Sequence, residues 1–307
     1  MFGPLRSAID GWRRFWLEPR DSLTLDLVRV FLGAALFMGY AAVAPAVQDL
    51  YGLESWFTGQ GRQLYIDNPW RQSALYFFTK PWQVTVFYYA FLGSIAAFTV
   101  GWKTRWAKWM VLIGHTSLAY SNPLITYGVD SIVSSALPLL CIAPIGEHLS
   151  LDAVARQRRT NRASLDEQPG ASVSSRTTTA LRLLQIQMVV FFIFSASSKL
   201  AGDFWWSGDA IWVALINPEF TNIPIAWLAE NYLVVNALTY GTLLIEISYV
   251  FLIWQKASRP YLLAGAILLH LGIAVTMGLY FFSAVMIACH LCFVRREWIV
   301  HICRLAG

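Results

Sequence analysis

The chain has 307 residues, 57% of them apolar and only 13% charged, with 14 Trp, 13 Tyr and 19 Phe. A soluble domain carries about 25% charged residues, so the composition excludes a soluble globular protein in favour of a polytopic membrane protein. The net charge of +5 would suit nucleic acid, but the placement of those charges along the chain excludes that partner.

The start, "MFGPLRSAIDGWRRFWLEPRDS", is basic and aromatic. It lacks a short apolar core with a small-residue cleavage site, so it reads as a membrane-surface helix and not as a signal peptide. Eight apolar spans follow, at roughly 24–46, 83–101, 106–121, 129–146, 183–201, 232–254, 261–279 and 280–295. The third, fourth and eighth are short for a crossing of about 20 residues. Tilting, kinking or shielding by protein would accommodate them, and Pro138 and Pro144 offer kinks in the fourth. The expected fold is all-α: a polytopic integral membrane helical bundle of about eight transmembrane helices, with interfacial helices at its outer face.

Charge orients the bundle. With the N-terminus cytoplasmic, the inside segments are 1–23, 102–108, 147–182, 255–260 and 296–307, with Arg295 at the boundary. They hold 18 of the 23 Lys and Arg residues. Outside lie only Arg62, Arg71 and Lys80, while Arg29 and Lys199 fall within spans. This bias places both termini inside a cell membrane. The inside loop 147–182 contains "RQRRTNRASLDEQPGASVSSRTTT" and reads as a flexible linker between two four-span halves, 1–146 and 183–307. Two outside segments, 47–82 and 202–231, are rich in Trp, Tyr, Phe, Gly and Pro. They read as short helices at the outer interface that cap a cavity between spans.

Ionisable residues within spans are costly and each needs a reason. Lys199 ends the fifth span. Either it snorkels to the headgroups, or it is a partly buried amine able to act as a base. Asp26 and Arg29 share one face of the first span and read as an internal ion pair. Glu246 lies near the middle of the sixth span with no basic neighbour in sequence. It needs a partner from another helix or must be protonated. His270 sits mid-span in "YLLAGAILLHLGIAV", His115 in the outer half of the third span, and Asp130 at the outer start of the fourth. Each histidine is open to two readings, a hydrogen-bonded structural group or a site residue. "CHLC" places Cys289 and Cys292 on one helical face with His290 between them, a weak pattern for a soft metal or a thiol pair against ordinary core cysteines. Four cysteines, Cys141, Cys289, Cys292 and Cys303, form no spaced disulfide framework. No phosphate-binding loop, dinucleotide fingerprint, HExxH or GxSxG is present.

The run "RLLQIQMVVFFIFSASSKLAGDFWWSGDAIWVAL" resembles the HTTM superfamily, which includes vitamin K-dependent gamma-carboxylase and bacterial members. The pattern is carried by Gln185, Gln187, Lys199–Leu200, Asp203, Trp205–Trp206 and Gly208. "SNPLITYGVDSIVSSALPLLCIAPIGEHLSLDA", "HLGIAVTMGLYFFSAVMI" and "DSLTLDLVRVFLGAALF" are similar to bacterial HTTM proteins, so the resemblance covers nearly the whole chain as one domain. It implies that Lys199 matches the lysine taken to be the base in vitamin K hydroquinone oxidation. It also implies substrate contacts at Asp203, Trp205, Trp206 and Gly208, and a quinone or hydroquinone as the cofactor class. The chain departs from the carboxylase in three ways: Ser198 stands where a second lysine would, "NPLITYG" has no histidine, and no large lumenal domain is expected. Peptidyl-glutamate carboxylation is therefore not the expected reaction.

The leading expectation is a membrane enzyme with an outward-facing cavity and Lys199 as general base. Its substrate would be quinol-like, otherwise lipophilic, or a peptide. His115, Asp130, Glu246 and His270 are the further candidate cavity residues, and membrane lipids are the expected partners. The alternatives are a lipid-binding scaffold without chemistry, or a proton-coupled transporter using Glu246 and His270.

Overall fold

The computed structural model describes residues 3–57, 72–160, 173–220, 222 and 226–306. Residues 58–71 of the first outer segment, residues 161–172 of the inner loop and the side chain of Cys303 lie outside the described residues. Among those described, the protein is all-helical, with no strand beyond one isolated bridge between Arg20 and Ser174. The principal helices are α1 (Gly3–Leu17), α2 (Leu23–Val43), α3 (Val47–Tyr51), α4 (Pro81–Val100), α5 (Thr104–Ser121), α6 (Gly128–Ile142), α7 (Leu151–Thr160) and α8 (Ser175–Leu200). They continue as α9 (Asp203–Ser207), α10 (Ala210–Ile216), α11 (Ala226–Ala229), α12 (Tyr232–Leu252), α13 (Arg259–Met277), α14 (Tyr280–His290) and α15 (Arg296–Ala306).

Each of the eight spans read from the sequence contains a helix, but they are not equivalent. Five are long and apolar enough to cross a membrane: Leu23–Tyr51, Pro81–Val100, Ser175–Leu200, Tyr232–Leu252 and Arg259–Met277. α5 has 18 residues but is less apolar, with Arg105 and Lys108 in its first turns. α6 is shorter, and α14 reaches only to Phe293 with its final 3-10 turn. The outward faces of the long helices are apolar: Leu233, Leu244, Phe251 and Leu268 are 67–81% exposed. Such faces suit hydrocarbon and not water.

The inner loop differs from the linker expectation. Part of it is helix α7, and α8 begins at Ser175, eight residues before the expected span. The first turns of α8 are tied to α1: Thr178 Oγ1 donates to the Glu18 carbonyl, Thr179 Oγ1 to the Trp16 carbonyl at 3.0 Å, and Arg182 stands 4.4 Å over the Phe15 ring. The chain divides into two compact units, Met1–Arg182 and Leu183–Gly307.

In the first unit α2 packs on α4, α4 on α5, and α5 on α6, as short connections between antiparallel helices dictate. One of its corners is closed by the Asp26–Arg29 pair at 3.2 Å, with both side chains fully buried. Asp26 accepts from Ser22 Oγ (2.7 Å), Gly146 N (2.6 Å) and His148 N (3.0 Å). Arg29 donates to the carbonyls of Phe98, Thr99 and Leu149. Gly101, which ends α4 at φ 72°, makes this closure possible, because a Cβ there would lie 2.3 Å from Ser150 Cβ.

Beside this clamp, Asp152 receives the Lys103 and Thr104 amides at 2.9 and 2.8 Å and so caps the start of α5. Burial alone would raise its carboxyl, but the bonds from Thr104 and Lys103 and the charge of Arg156 together hold it below the usual value.

Replacing Asp26 with Ala strands a buried guanidinium. It is expected to lower the thermal unfolding midpoint in detergent, equivalent to about 3–5 kcal/mol; unfolding at the wild-type temperature would deny the clamp this role. Asp152→Ala is expected to cost about 1 kcal/mol at neutral pH. A depressed carboxyl contributes fully above its unfolded value, near pH 4, and loses that contribution as pH falls through its folded value. The gap between wild type and variant should therefore close on acidification, and a gap independent of pH would contradict the assignment.

Candidate functional site

The second unit concentrates its polar groups on buried helix faces. α12 buries Val235, Thr239, Leu243, Glu246 and Tyr249, a stripe at helical spacing. Ser195 and Lys199, four apart, share a face of α8. Lys199 Nζ lies 3.0 Å from Glu246 Oε1 and donates to Ser195 Oγ at 2.7 Å. Ser195 Oγ stands 3.1 and 3.2 Å from the two Glu246 oxygens, so it accepts from the lysine and donates to the carboxylate. The ammonium also lies 5.3 Å over the Trp205 ring, within cation–π range. Glu246 is 6% exposed and Lys199 23%, so the carboxylate is enclosed while the amine keeps an open side.

Depth follows from helix geometry. Glu246 is fourteen residues past Tyr232, about 21 Å along α12 at ~1.5 Å per residue. α8 ends at Leu200, beside Lys199, and the aromatic segment that follows lies along the first half of α12. Tyr240 donates to the Trp206 carbonyl (2.8 Å), Asn236 to the Gly208 carbonyl (3.0 Å), and the Ile211 amide to Thr239 Oγ1 (3.3 Å). Lys199 is thus at the end of its own helix, as expected, yet level with a point about two-thirds of the way along α12.

A second layer lies behind the pair. His270 lies on α13. Its ring centroid is 5.4 Å from that of His290 and 5.6 Å from Phe282. His290 Nδ1 bonds the Tyr249 hydroxyl at 2.8 Å, and Tyr249 stacks on Phe192 at 4.3 Å. At the end of α14, Gln185 Nε2 donates to the Cys292 carbonyl at 2.8 Å.

The remaining sequence candidates fall elsewhere. Asp203 is exposed in the first turn of α9, and the carboxylate that Lys199 pairs with is Glu246. Trp206 is 64% exposed, with Nε1 donating to the Leu200 carbonyl at 2.8 Å. Gly208 is buried at φ 88° and ends α9. Cys289 and Cys292 are free and buried, and His290 Nδ1 is bonded to the Tyr249 hydroxyl. Among the described residues no group of three or more His, Cys, Asp or Glu side chains is placed to hold a metal. His115 and Asp130 belong to the first unit. His115 bonds Tyr40 Oη (2.8 Å) and Ser134 Oγ (3.0 Å), and the Asp130 carboxylate receives the Tyr127 amide at 2.9 Å and caps α6.

Sequence reasoning missed Ser195 and Tyr249. Both carried a spacing signal: Ser195 precedes Lys199 by four residues and Tyr249 follows Glu246 by three, which sets each on its partner's helix face.

Long apolar-faced helices that enclose a charged pair define a multi-pass helical membrane protein. Residues 17–298 match the HTTM domain, and the chain belongs to that family, whose membrane domain is related to vitamin K-dependent gamma-carboxylase. No curated protein and no solved structure matches the chain.

Gly208→Ala tests how the aromatic segment is seated. The added Cβ would lie 2.4 Å from Asn236 Nδ2, and the left-handed backbone costs a non-glycine residue roughly 1–2 kcal/mol. A lower unfolding midpoint of that size is expected; an unchanged midpoint would contradict this seating.

Proposed function

We propose that the protein is a membrane-embedded enzyme in which Lys199 is the general base for a weakly acidic, lipophilic substrate of the quinol class. The observation that carries this reading is the Lys199–Glu246 pair, 3.0 Å apart, with its amine partly open and its carboxylate enclosed. A buried pair is seldom the most stable filling of an apolar site, and ionisable groups at such depth in a membrane protein mark function.

The pair acts as one unit. With one proton shared between amine and carboxylate it is neutral, which is the form an apolar bundle tolerates best. When a substrate O–H bond breaks, its proton joins the pair, leaving Lys199 as ammonium and Glu246 as carboxylic acid. The substrate anion then faces a net positive charge. Ser195, bonded to both partners, carries the proton between them. Trp205 supplies an aromatic wall for a flat ring, and Trp206 and Gly208 fix the segment that holds it. His115 and Asp130 serve the packing of the first unit in this reading.

Eight crossings, with both termini cytoplasmic in a bacterial-type cell membrane, complete the proposal. The charge bias supports it, 18 of 23 basic residues falling on one side. The terminal helices α1 and α15 would then lie on the inner surface.

The test is hydroquinone oxidation under air by the full chain in lipid nanodiscs. Lys199→Ala and Lys199→Arg are each expected to lose about 10²–10⁴-fold in turnover, the range of a general base. Glu246→Gln should also fall, because the pair loses its proton acceptor. Equal turnover in wild type and both Lys199 variants would reject the base role.

A further inference from the structure

The buried polar groups of the second unit continue past the Lys199 pair. His270 is 2% exposed and His290 wholly buried. Among the described residues, no protein group hydrogen-bonds either ring nitrogen of His270, Nε2 of His290, or Oγ of Ser283, which lies two turns before His290 on α14. Leaving one such atom unpaired costs about 1–3 kcal/mol. Buried polar atoms without protein partners are normally served by internal water.

The arrangement of these atoms is specific. The two rings are 5.4 Å apart between centroids and tilted by 36°. A single water making two hydrogen bonds of about 2.8 Å can join one nitrogen of each ring when rings stand this close. Neither ring nitrogen of His270 has a protein partner among the described residues. His290 has one open nitrogen and one bonded to Tyr249 Oη at 2.8 Å. An imidazole with one free end for entry and one for exit is what proton transfer requires. A histidine kept only for packing would have its nitrogens satisfied, as His115 does through Tyr40 and Ser134. Phe192, Phe282 and Phe293 pack around the group and enclose it.

We propose that His270 and His290, bridged by water, form a proton store behind the Lys199–Glu246 pair, with Tyr249 as its terminal acceptor. The store rests on the reading of Lys199 as the base. The proton removed from the substrate passes from the pair through water to His270 and His290. An N–H bond of Lys199 breaks and an imidazole N–H bond forms, with no electrons transferred. The two rings then share one imidazolium charge, His290 Nδ1–H donating to the Tyr249 oxygen. The pair returns to its neutral form and can take another proton, and the stored one goes back by the same path when a product needs it.

The test needs no substrate. Wild-type protein labelled with ¹⁵N-histidine is placed in lipid bilayers, and solid-state NMR measures magnetisation transfer from water to each ring. His270→Phe and His290→Phe assign the signals. Both buried rings are expected to receive magnetisation from water, and His270→Phe is expected to reduce the transfer at His290 several-fold. The His115 signal, from the first unit, reports whether each variant is folded. Dry His270 and His290 rings in the wild type overturn the store whatever the variants do. Transfer at His290 that His270→Phe leaves unchanged, with His115 unperturbed, also overturns it. Dry rings combined with Lys199-dependent turnover remove the store and spare the base. Wet rings combined with Lys199-independent turnover remove the base, and the store with it.

Discussion

The Asp26–Arg29 pair is the constraint around which the first unit is closed. Its hydrogen bonds reach the end of α4 at Phe98 and Thr99, the loop at Gly146 and His148, and the Leu149 carbonyl beyond it. Two charges with no exposure are tolerable only when every lone pair and N–H is matched. That requirement fixes where α4 stops, why a left-handed glycine follows it, and how the inner loop returns to α2. α7, anchored by Asp152 on the first residues of α5, extends the same closure.

The second unit holds a charged pair under opposite conditions. Lys199 and Glu246 meet at 3.0 Å, but the lysine is 23% exposed and its remaining contacts are one hydroxyl and one aromatic face. Behind it stand imidazole nitrogens with no protein partner. A saturated pair resists protonation changes, because each would break several bonds at once. An under-coordinated pair has fewer bonds to break when its protonation changes. The two pairs differ in exposure and in how fully their partners satisfy them, and not merely in carrying charge.

Much of the helix layout was legible in the sequence because the bilayer imposes a long apolar period that composition reveals directly. The inner loop was less legible: its polar residues read as a linker, whereas Asp152, Thr178 and Thr179 spend their polarity capping α5 and binding the α1 carbonyls. Depth was also hidden. Lys199 ends an apolar run, which suggests an interface, but its level depends on Glu246, 47 positions later in the chain. Pairing across helices leaves no local trace, so the Glu246 need for a partner could be seen while the partner could not. Ser195 and Tyr249 were readable from spacing alone once Lys199 and Glu246 were known to meet.

The departures from the carboxylase pattern weigh differently once the geometry is known. Ser198, standing where a second lysine would be, is exposed, whereas Ser195 and Lys199 meet Glu246. A lysine there would add a positive charge without joining that contact, so its replacement leaves the pair intact and neutral overall. The stretch "NPLITYG" is occupied with local structure: Asn122 accepts the Leu124 amide at 3.0 Å and donates to the Leu50 carbonyl at 2.8 Å. Neither departure removes a group from the Lys199–Glu246–Ser195 contact. What they change is the surroundings of that contact, so the Lys199–Glu246–Ser195 arrangement is separable from the rest of the carboxylase pattern.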